Sequence, residues 1–540
     1  MIKKVNRNFL WSEIFVEKLV QHGIKYACIS PGSRSAPLTY SLGKNKKIKC
    51  FANIDERSSA FIALGLAKAS ASPVVIVTTS GTATSELYPA IIEAYQQRTP
   101  LIVCTADRPP ELKNSGANQM INQKNIYRNH IRWFKDVGLP ELNVKILSRL
   151  ILITQKAINI ASKKDKGPVH LNFPFRKPLE PGSFTDEIDE LLIESLIKKT
   201  HENNHSPESL IKKREKKLIS KIAGRILTSQ RGLIIAGPQD YNPKAIKAIN
   251  LLSETTGFPI LANGASQLRF NSSHNLIISN YDAFLKSEIF RQKFNPDIIL
   301  QFGRTSTSSS LDNYFEEIDA DRFIINEYGD RFDPSGRAKS IIKFKPEIFC
   351  NELLKHLKEI NFSKPANEWS KVFQTADMLV EGIKSKIILN SSFPNEARII
   401  PEVIKVIPPK SSIMIGNSLP IRDLDCFAGS MGNNLKIFFN RGASGIDGIT
   451  STALGIAKQN KSTVLITGDL SFLHDTTALL FAKKNPVSLL IILINNNGGG
   501  IFDTLPIKEY KELFRKYFKT PHDQNIKNVV EAFGHNHTII

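Results

Sequence analysis

No two of the five cysteines, Cys28, Cys50, Cys104, Cys350 and Cys426, are close enough to form a Cys-x-x-Cys pair, and their number is odd. That pattern excludes a disulfide-stapled scaffold and fits a reduced cytosolic compartment. Long apolar runs are also missing. The amino end, MIKKVNRNFLWSEIFVEKLV, has no uninterrupted signal-peptide core, and the longest runs, such as LLIILI from Leu489, fall far short of a membrane span. The expected location is cytoplasmic, with no membrane partner. No short-period repeat or low-complexity tract is present. Acidic residues are scarce beside basic ones: 51 Asp and Glu against 72 Lys and Arg leave a net charge of +21. A concentrated basic stripe studded with aromatics is absent, however. The lysines fall in short groups through most of the chain, such as Lys44-Lys46-Lys47-Lys49 and Lys212-Lys213-Lys216-Lys217. This is a Lys- and Asn-rich composition, and it argues against nucleic acid as a partner while leaving room for steering of small polyanions.

With 41% hydrophobic and 23% charged residues, the composition is that of an ordinary globular protein, and 540 residues are enough for about three domains. In the first third, apolar runs KYACIS, PVVIVTTS, LIVCTA and PVHLNFP alternate with helical patterns, the signature of a doubly wound α/β domain over residues 1–185. A polar stretch through roughly residue 215 reads as linker and surface helix. A second strand series, GLIIAG, FPILAN, DIILQFG and DRFIINE, predicts a smaller α/β domain within 186–366. There Gly237-Pro238-Gln239-Asp240 follows a strand without making Gly-x-Gly-x-x-Gly, so dinucleotide binding has no support and a mainly structural role is expected. After another polar helical region, SSIMIGNS, KIFFNRGAS, STVLITGD and SLLIILINNN predict a third α/β domain over 367–540. Three doubly wound α/β domains with mainly parallel sheets are the expected fold.

The stretch from Val464 to Phe502 places Gly468-Asp469 at the end of one buried strand and Asn495-Asn496-Asn497-Gly498 at the end of the next. A right-handed crossover of this length makes the strands parallel, so both ends emerge at one sheet edge. Mg²⁺ takes six oxygens in an octahedron; Asp469, the Asn496 amide and the Gly498 carbonyl supply three, and two diphosphate oxygens with a water would complete the shell. The spacing resembles the thiamine-diphosphate motif, with Leu470 and Ser471 following Gly468-Asp469 where a second glycine is commonest.

Three loops of the first domain also gather at strand ends. Ser33 and Arg34 lie in ISPGSRSAPL, a turn before a helix suited to anions; Ser80-Gly81-Thr82 opens the next helix; Arg108 and Gln119 share one long loop. Taken singly, each is ordinary capping or turn chemistry, but the carboxyl edge of an α/β sheet is where ligands bind. Asp55 would cap the helix beginning at Glu56, whose usual meaning is a complement to the helix dipole. A thiazolium cofactor needs a carboxyl group beside its aminopyrimidine ring, and Glu56 alone has a matching context.

Over nearly its whole length the chain resembles the family of 2-succinyl-5-enolpyruvyl-6-hydroxy-3-cyclohexene-1-carboxylate synthases, thiamine-diphosphate enzymes of menaquinone and phylloquinone synthesis. The resemblance rests on ISPGSRSAPLT, ANIDERSSAFIALGLAK, TSGTATSELYPAIIEA, TADRPPEL, GANQ, GNSLPIRDLD, NRGASGIDGITSTALG, TGDLS and NNNGGGIF. It implies decarboxylation of 2-oxoglutarate and 1,4-addition of the succinyl carbanion equivalent to isochorismate, with thiamine diphosphate and Mg²⁺ or Mn²⁺ as cofactors. Residues 1–185 would bind the pyrimidine and 367–540 the diphosphate. Glu56 would activate the cofactor; Asp469, Asn496 and Gly498 would hold the metal, flanked by Gly468, Leu470 and Ser471. Ile446 would prop the cofactor rings, and Thr82, Asn417 and Phe502 would shape their pocket. Ser418, Arg422 and Arg441 would hold oxoglutarate carboxylates, since guanidinium forks match carboxylates bidentately. Ser33, Arg34, Arg108 and Gln119 would receive isochorismate. A homo-oligomer, dimer or tetramer, is implied, with Glu56 and Asp469 of different chains serving one cofactor.

Two departures stand out. Ser309 and Ser310 occupy positions where relatives often carry Lys or a Lys-Arg pair, with Arg304 nearby, so no middle-domain ligand is assigned. NVVEAFGHNHTII stops where relatives continue through a helix, a strand and a tail, and the expectation is an exposed strand edge in the last domain. Rival readings are another thiamine-diphosphate decarboxylase of acetolactate-synthase type and a non-catalytic homologue. Pyruvate, with one carboxylate, would not need four arginines, and intact Glu56 and Asp469 argue against loss of activity.

Overall fold

Strand Val74–Thr78, VVIVT, is apolar without interruption because both its faces are covered. Val75 and Val77 pack in a cluster with Trp11, Phe15 and Ile158, whereas Val74 and Ile76 join Phe61, Leu64 and Ile91. The two-residue period of a strand thus sends alternate side chains into two separate cores, one under each layer of helices. Leu101–Asp107 repeats the pattern, Ile102 and Cys104 on one side and Leu101 and Val103 on the other.

The computed structural model describes residues 2–163, 165–182, 184, 186–198, 213–272, 274–363, 368–392, 394–429 and 434–540. The chain divides into two compact units, Met1–Asn204 with Asn440–Ile540, and His205–Phe439. The linker expected through residue 215 lies largely outside the described residues, as does the boundary expected at 366.

In the first unit six parallel strands run in the order Lys49–Ala52, Tyr26–Ile29, Val74–Thr78, Leu101–Asp107, Pro168–Pro174, Trp133–Asp136. The four interior strands are those legible as apolar runs. Both edge strands, KCFA and WFKD, carry charge because one side of an edge is open to water, and their sequences give no comparable signal. The order reverses between Tyr26–Ile29 and Val74–Thr78, so the loops after these strands, bearing Arg34 and Thr82, flank the switch point where α/β sheets bind ligands. Ile2–Val5 and Asp186–Asp189 form a separate antiparallel pair.

The same unit contains the parallel pair Thr463–Gly468 and Leu489–Ile494, in register at Gly468 and Ile494. Two short helices, Asp469–His474 and Ala478–Lys484, make the crossover. Leu490 is 60% exposed on the outer strand. Helices Glu56–Ser70 and Ile449–Ala457 cross at bare backbone. A Cβ on Gly65 would stand 2.1 Å from the Thr452 carbonyl oxygen, and one on Gly455 would stand 2.2 Å from that of Ile62, so only glycine permits the crossing.

The second unit holds six parallel strands in the order Ile277–Ile278, Ile260–Ala262, Gly232–Ala236, Ile298–Phe302, Asp321–Asn326, Ser340–Lys343. It also holds the parallel pair Ser412–Ile415 and Lys436–Phe439. Among the described residues no helix is long and apolar enough to cross a membrane.

Candidate active site

Arg34 follows the Tyr26–Ile29 strand in a 3₁₀ turn, Ser33–Ser35, made possible by a close approach: a Cβ on Gly32 would lie 2.3 Å from Thr79 Cβ. Its side chain is buried and donates from Nη1 to the Phe175 carbonyl at 2.8 Å. Arg108, at the end of Leu101–Asp107, donates from Nη2 to Gln119 Oε1 at 3.1 Å. Arg34 Nε and Arg108 Nη1 are buried and have no hydrogen-bond acceptor among the described residues. Burial pulls Arg34 below the usual guanidinium range and the neighbouring Arg108 cation pulls it further. Burial likewise lowers Arg108, with Asp107 opposing. Two desolvated cations with spare N–H groups have the chemistry to accept an anion, since an unpaired buried donor is costly. Ser33 is exposed at the rim, and Thr82 is the exposed first residue of helix Thr82–Glu86.

The bracing of this pair was not legible in the sequence. Gln123 donates from Nε2 to the Ala106 carbonyl and to Asn172 Oδ1, and accepts from Gly81 N–H. Asn172 in turn donates to Asp107 Oδ2, while Asp107 Oδ1 accepts the Arg108 N–H. Gly81, at φ +84°, lies under Gln119, where an added Cβ would come within 3.1 Å of Gln119 Cβ. The three loops are therefore locked to one another by side chains far apart in sequence.

Glu56 is the first residue of its helix, with Asp55 as N-cap accepting from Ser58 N–H at 3.1 Å. A helix N-terminus alone would favour the carboxylate, yet burial dominates and raises Glu56 above the ordinary glutamate range, with the carboxylates of Asp55 and Glu86 adding to it. Such a group can share a proton. Behind it Asp475, fully buried, accepts from Ser451 N–H at 2.6 Å, Ser451 Oγ at 2.8 Å and Ser58 Oγ at 3.3 Å. Burial pushes Asp475 up to about 6, against the Ser451 donors. The fold thus holds a proton that the unfolded chain releases, so this contribution to stability is complete below about pH 4 and is lost as pH rises through about 6. Asp475→Asn cannot titrate, and its amide fits, since the hydroxyls of Ser58 and Ser451 can rotate to accept. Its stability relative to the parent should climb between pH 4 and 7, by on the order of 3 kcal/mol, in urea denaturation series. A constant difference over that range would show that Asp475 does not titrate there.

Asp469, also buried, begins the helix after Thr463–Gly468. Its hydrogen bonds go to Leu470 N–H at 2.7 Å, Gly498 N–H at 2.8 Å and His522 Nε2 at 3.1 Å, none of them to Glu56. His522 was missed by sequence reasoning, because nothing local ties it to a strand end 53 residues earlier. Gly498, at φ +128°, meets the Lys519 carbonyl so closely that a Cβ would stand 2.1 Å away, and a Cβ on Gly500 would stand 2.4 Å from Asn496 Nδ2. Gly500 leaves room beside the Asn496 amide, and Gly498 admits the Lys519 carbonyl. One buried carboxylate, an amide and a backbone carbonyl on adjoining loops fit a hard cation shared with a diphosphate. Among the described residues no group of three His, Cys, Asp or Glu side chains offers an alternative metal site. Ser471 is buried beside Asp469, and Phe502 packs edge-on against Phe518 at 5.7 Å.

Arg441 and Ile446 lie on the loop before helix Ile449–Ala457. Glu93 braces that loop from below, accepting Gly442 N–H at 2.8 Å and Ala443 N–H at 2.7 Å, and Lys68 donates to Asn440 Oδ1 at 2.6 Å. Ile446 is 37% exposed. Asn417, Ser418 and Arg422 belong to the other unit. There Arg422 Nη1 donates to the Ser418 carbonyl at 2.6 Å, and the neighbouring Asp423, pushed up to about 7 by burial, has a buried Oδ2 with no partner among the described residues. Ser309 opens helix Ser309–Glu317, Ser310 is buried within it, and Arg304 lies 5.0 Å over the Phe332 ring.

Comparison with known proteins places this arrangement. Residues 11–126 match the N-terminal TPP binding domain of thiamine pyrophosphate enzymes, 199–415 the middle domain, and 432–540 the C-terminal TPP binding domain. Fold and site define a thiamine-diphosphate enzyme of three α/β domains. A 2-succinyl-5-enolpyruvyl-6-hydroxy-3-cyclohexene-1-carboxylate synthase from Haloquadratum walsbyi is 37% identical, over 96% of this chain and 88% of the relative. Those from Bacillus cytotoxicus (36%; 96% and 87%) and Myxococcus xanthus (35%; 99% and 90%) are similarly related. The chain belongs to this synthase family and is a transferase.

Proposed function

We propose that the chain joins 2-oxoglutarate to isochorismate with loss of CO₂, forming 2-succinyl-5-enolpyruvyl-6-hydroxy-3-cyclohexene-1-carboxylate in menaquinone or phylloquinone synthesis. The observation that carries this reading is the pair of buried guanidiniums, Arg34 beside the switch point of the first sheet and Arg108 at the end of the strand next to it, each with an N–H lacking an acceptor among the described residues. A pair of this kind suits a dianionic acceptor such as isochorismate better than a neutral one. Thiamine diphosphate, when bound, supplies the electron sink for breaking the bond between the carboxylate and C2 of 2-oxoglutarate. Glu56 would hold the proton at N1′ of the aminopyrimidine. Asp469, Asn496 and the Gly498 carbonyl would hold Mg²⁺ or Mn²⁺ against the diphosphate, with Gly468, Leu470 and Ser471 shaping that turn. Ser418, Arg422 and Arg441 would orient the 2-oxoglutarate carboxylates, and Ser33, Arg34, Arg108 and Gln119 would orient isochorismate so that C2 of the donor forms its new bond in the 1,4 sense. Thr82, Asn417, Ile446 and Phe502 would close the pocket and exclude water.

Residues 1–185 serve as the pyrimidine-binding domain, 367–540 as the diphosphate-binding domain and 186–366 as the middle domain in this reading. The working form is a cytoplasmic homo-oligomer, a dimer or a tetramer, in which Glu56 of one chain and Asp469 of another serve one cofactor. The test is mass analysis of products after incubation with 2-oxoglutarate, isochorismate, thiamine diphosphate and Mg²⁺. The adduct mass should appear, vanish on chelation of the metal, and return with Mg²⁺ or Mn²⁺. Release of CO₂ from pyruvate in preference to 2-oxoglutarate would overturn the assignment.

A further inference from the structure

Helix Leu419–Phe427 carries Arg422 near its start and Asp425 one turn later. Its amino end is weakly defined: Ser418, the N-cap, sits at φ +70° and makes no side-chain capping bond. Its carboxyl end is held in an unusual way. Arg269, whose side chain is completely buried, donates from Nη1 to the carbonyls of Leu424 at 3.4 Å, Asp425 at 2.7 Å and Ala428 at 3.0 Å. Of these, the Leu424 carbonyl also accepts the Ala428 N–H, while carbonyls beyond it belong to those a helix leaves without an intrahelical partner at its end, and a cation there complements the dipole. The same guanidinium reaches the end of strand Ile260–Ala262 through Nε and the Ala262 carbonyl at 2.8 Å, and the Ser279 carbonyl through Nη2 at 3.0 Å.

Asp425 completes the anchor. Its Oδ1 accepts from Arg269 Nη2 at 2.8 Å and Gly264 N–H at 2.9 Å; its Oδ2 accepts from Asn263 Nδ2 at 2.7 Å and Tyr281 Oη at 2.8 Å. Gly264 is pressed against the helix, where an added Cβ would lie 3.0 Å from the Leu424 carbonyl oxygen. Every oxygen of this carboxylate is committed, and the guanidinium fork fixes direction as well as distance. A buried ion pair is a poor device for stability alone, because well-packed apolar residues of like volume commonly do as well. What it provides is a single geometry for the helix it holds.

We propose that Arg269 and Asp425 are positioning residues for the donor substrate: they set the height and rotation of helix Leu419–Phe427, and with it the point at which Arg422 meets a carboxylate of the 2-oxo dicarboxylic acid. The inference rests on the reading of Arg422 given above. The test replaces both partners with apolar residues, Arg269→Met with Asp425→Leu, beside Arg422→Ala as benchmark. Three quantities are read: KM for 2-oxoglutarate, KM for isochorismate, and thiamine-diphosphate affinity by calorimetry.

The paired variant leaves the donors of Asn263, Gly264 and Tyr281 and the carbonyls that Arg269 serves unpaired, so its urea midpoint should fall. Where it still folds it should keep its cofactor affinity, raise KM for 2-oxoglutarate by about tenfold or more, and change KM for isochorismate by less than about twofold. If Arg422→Ala raises KM for 2-oxoglutarate and the paired variant does not, the positioning role is overturned and the reading of Arg422 stands. If Arg422→Ala leaves that KM unchanged, the reading of Arg422 falls and this inference with it. Should the paired variant not fold, Arg269→Lys keeps the charge and loses the fork. It should raise the same KM by about threefold, and an unchanged value overturns the proposal.

Discussion

Glu56→Gln is expected to bind thiamine diphosphate nearly as the parent does while slowing exchange of the cofactor C2 proton by about a hundredfold or more. Gln has the same shape, so the helix start capped by Asp55 and packed against Ser58 should be undisturbed. What it lacks is a proton that can move. In the parent, burial raises Glu56 above the ordinary glutamate range, and Asp55 and Glu86 add their negative charge in the same direction. An amide cannot share a proton at N1′. Hydrogen–deuterium exchange at C2, followed by quenching and NMR, measures the step directly. Exchange at the parent rate in Glu56→Gln would remove Glu56 from the role.

Changing Arg108 or Arg422 to Ala is expected to damage different halves of the reaction. Arg422→Ala should slow CO₂ release from 2-oxoglutarate, and Arg108→Ala should spare that step and raise the isochorismate requirement. Truncating one partner of a buried charged hydrogen-bonded pair typically costs ~2–5 kcal/mol, well over tenfold. The Arg108 loss should sit at the lower end of that range. Arg34 is pulled down by its cationic neighbour, so removing Arg108 also relieves repulsion on Arg34. Gln119 loses its Arg108 partner as well, and Gly81 beneath it gives no side chain to replace the contact. Stopped-flow detection of CO₂ with and without isochorismate separates the two. Equal impairment of CO₂ release by both folded variants would mean that the two-pocket division is wrong.

How far the sequence carried the reading depended on whether a feature is local. The interior strands showed as mainly apolar runs because both faces are covered, as in Val74–Thr78, and the few polar residues in them, such as His170 and Asn172, are hydrogen-bonded inside. The edge strands Lys49–Ala52 and Trp133–Asp136 did not show, since half of each faces water. Candidate site residues at strand ends, Arg34, Arg108 and Asp469, were legible because Gly, Pro, Ser and Asp mark the turns there.

The sequence by itself determined the interior strand series and the glycine-rich loops that place this chain in its synthase family. Only the tertiary structure decided what holds those loops in place: Gln123 and Asn172 under Arg108, Glu93 under the Arg441 loop, Asp475 behind Glu56, His522 on Asp469, and Arg269 with Asp425 beneath Arg422. Each of these is a hydrogen bond between residues brought together by the crossing of distant segments. A donor or acceptor reveals its own chemistry in the sequence, but its partner is chosen by the packing of the chain in three dimensions.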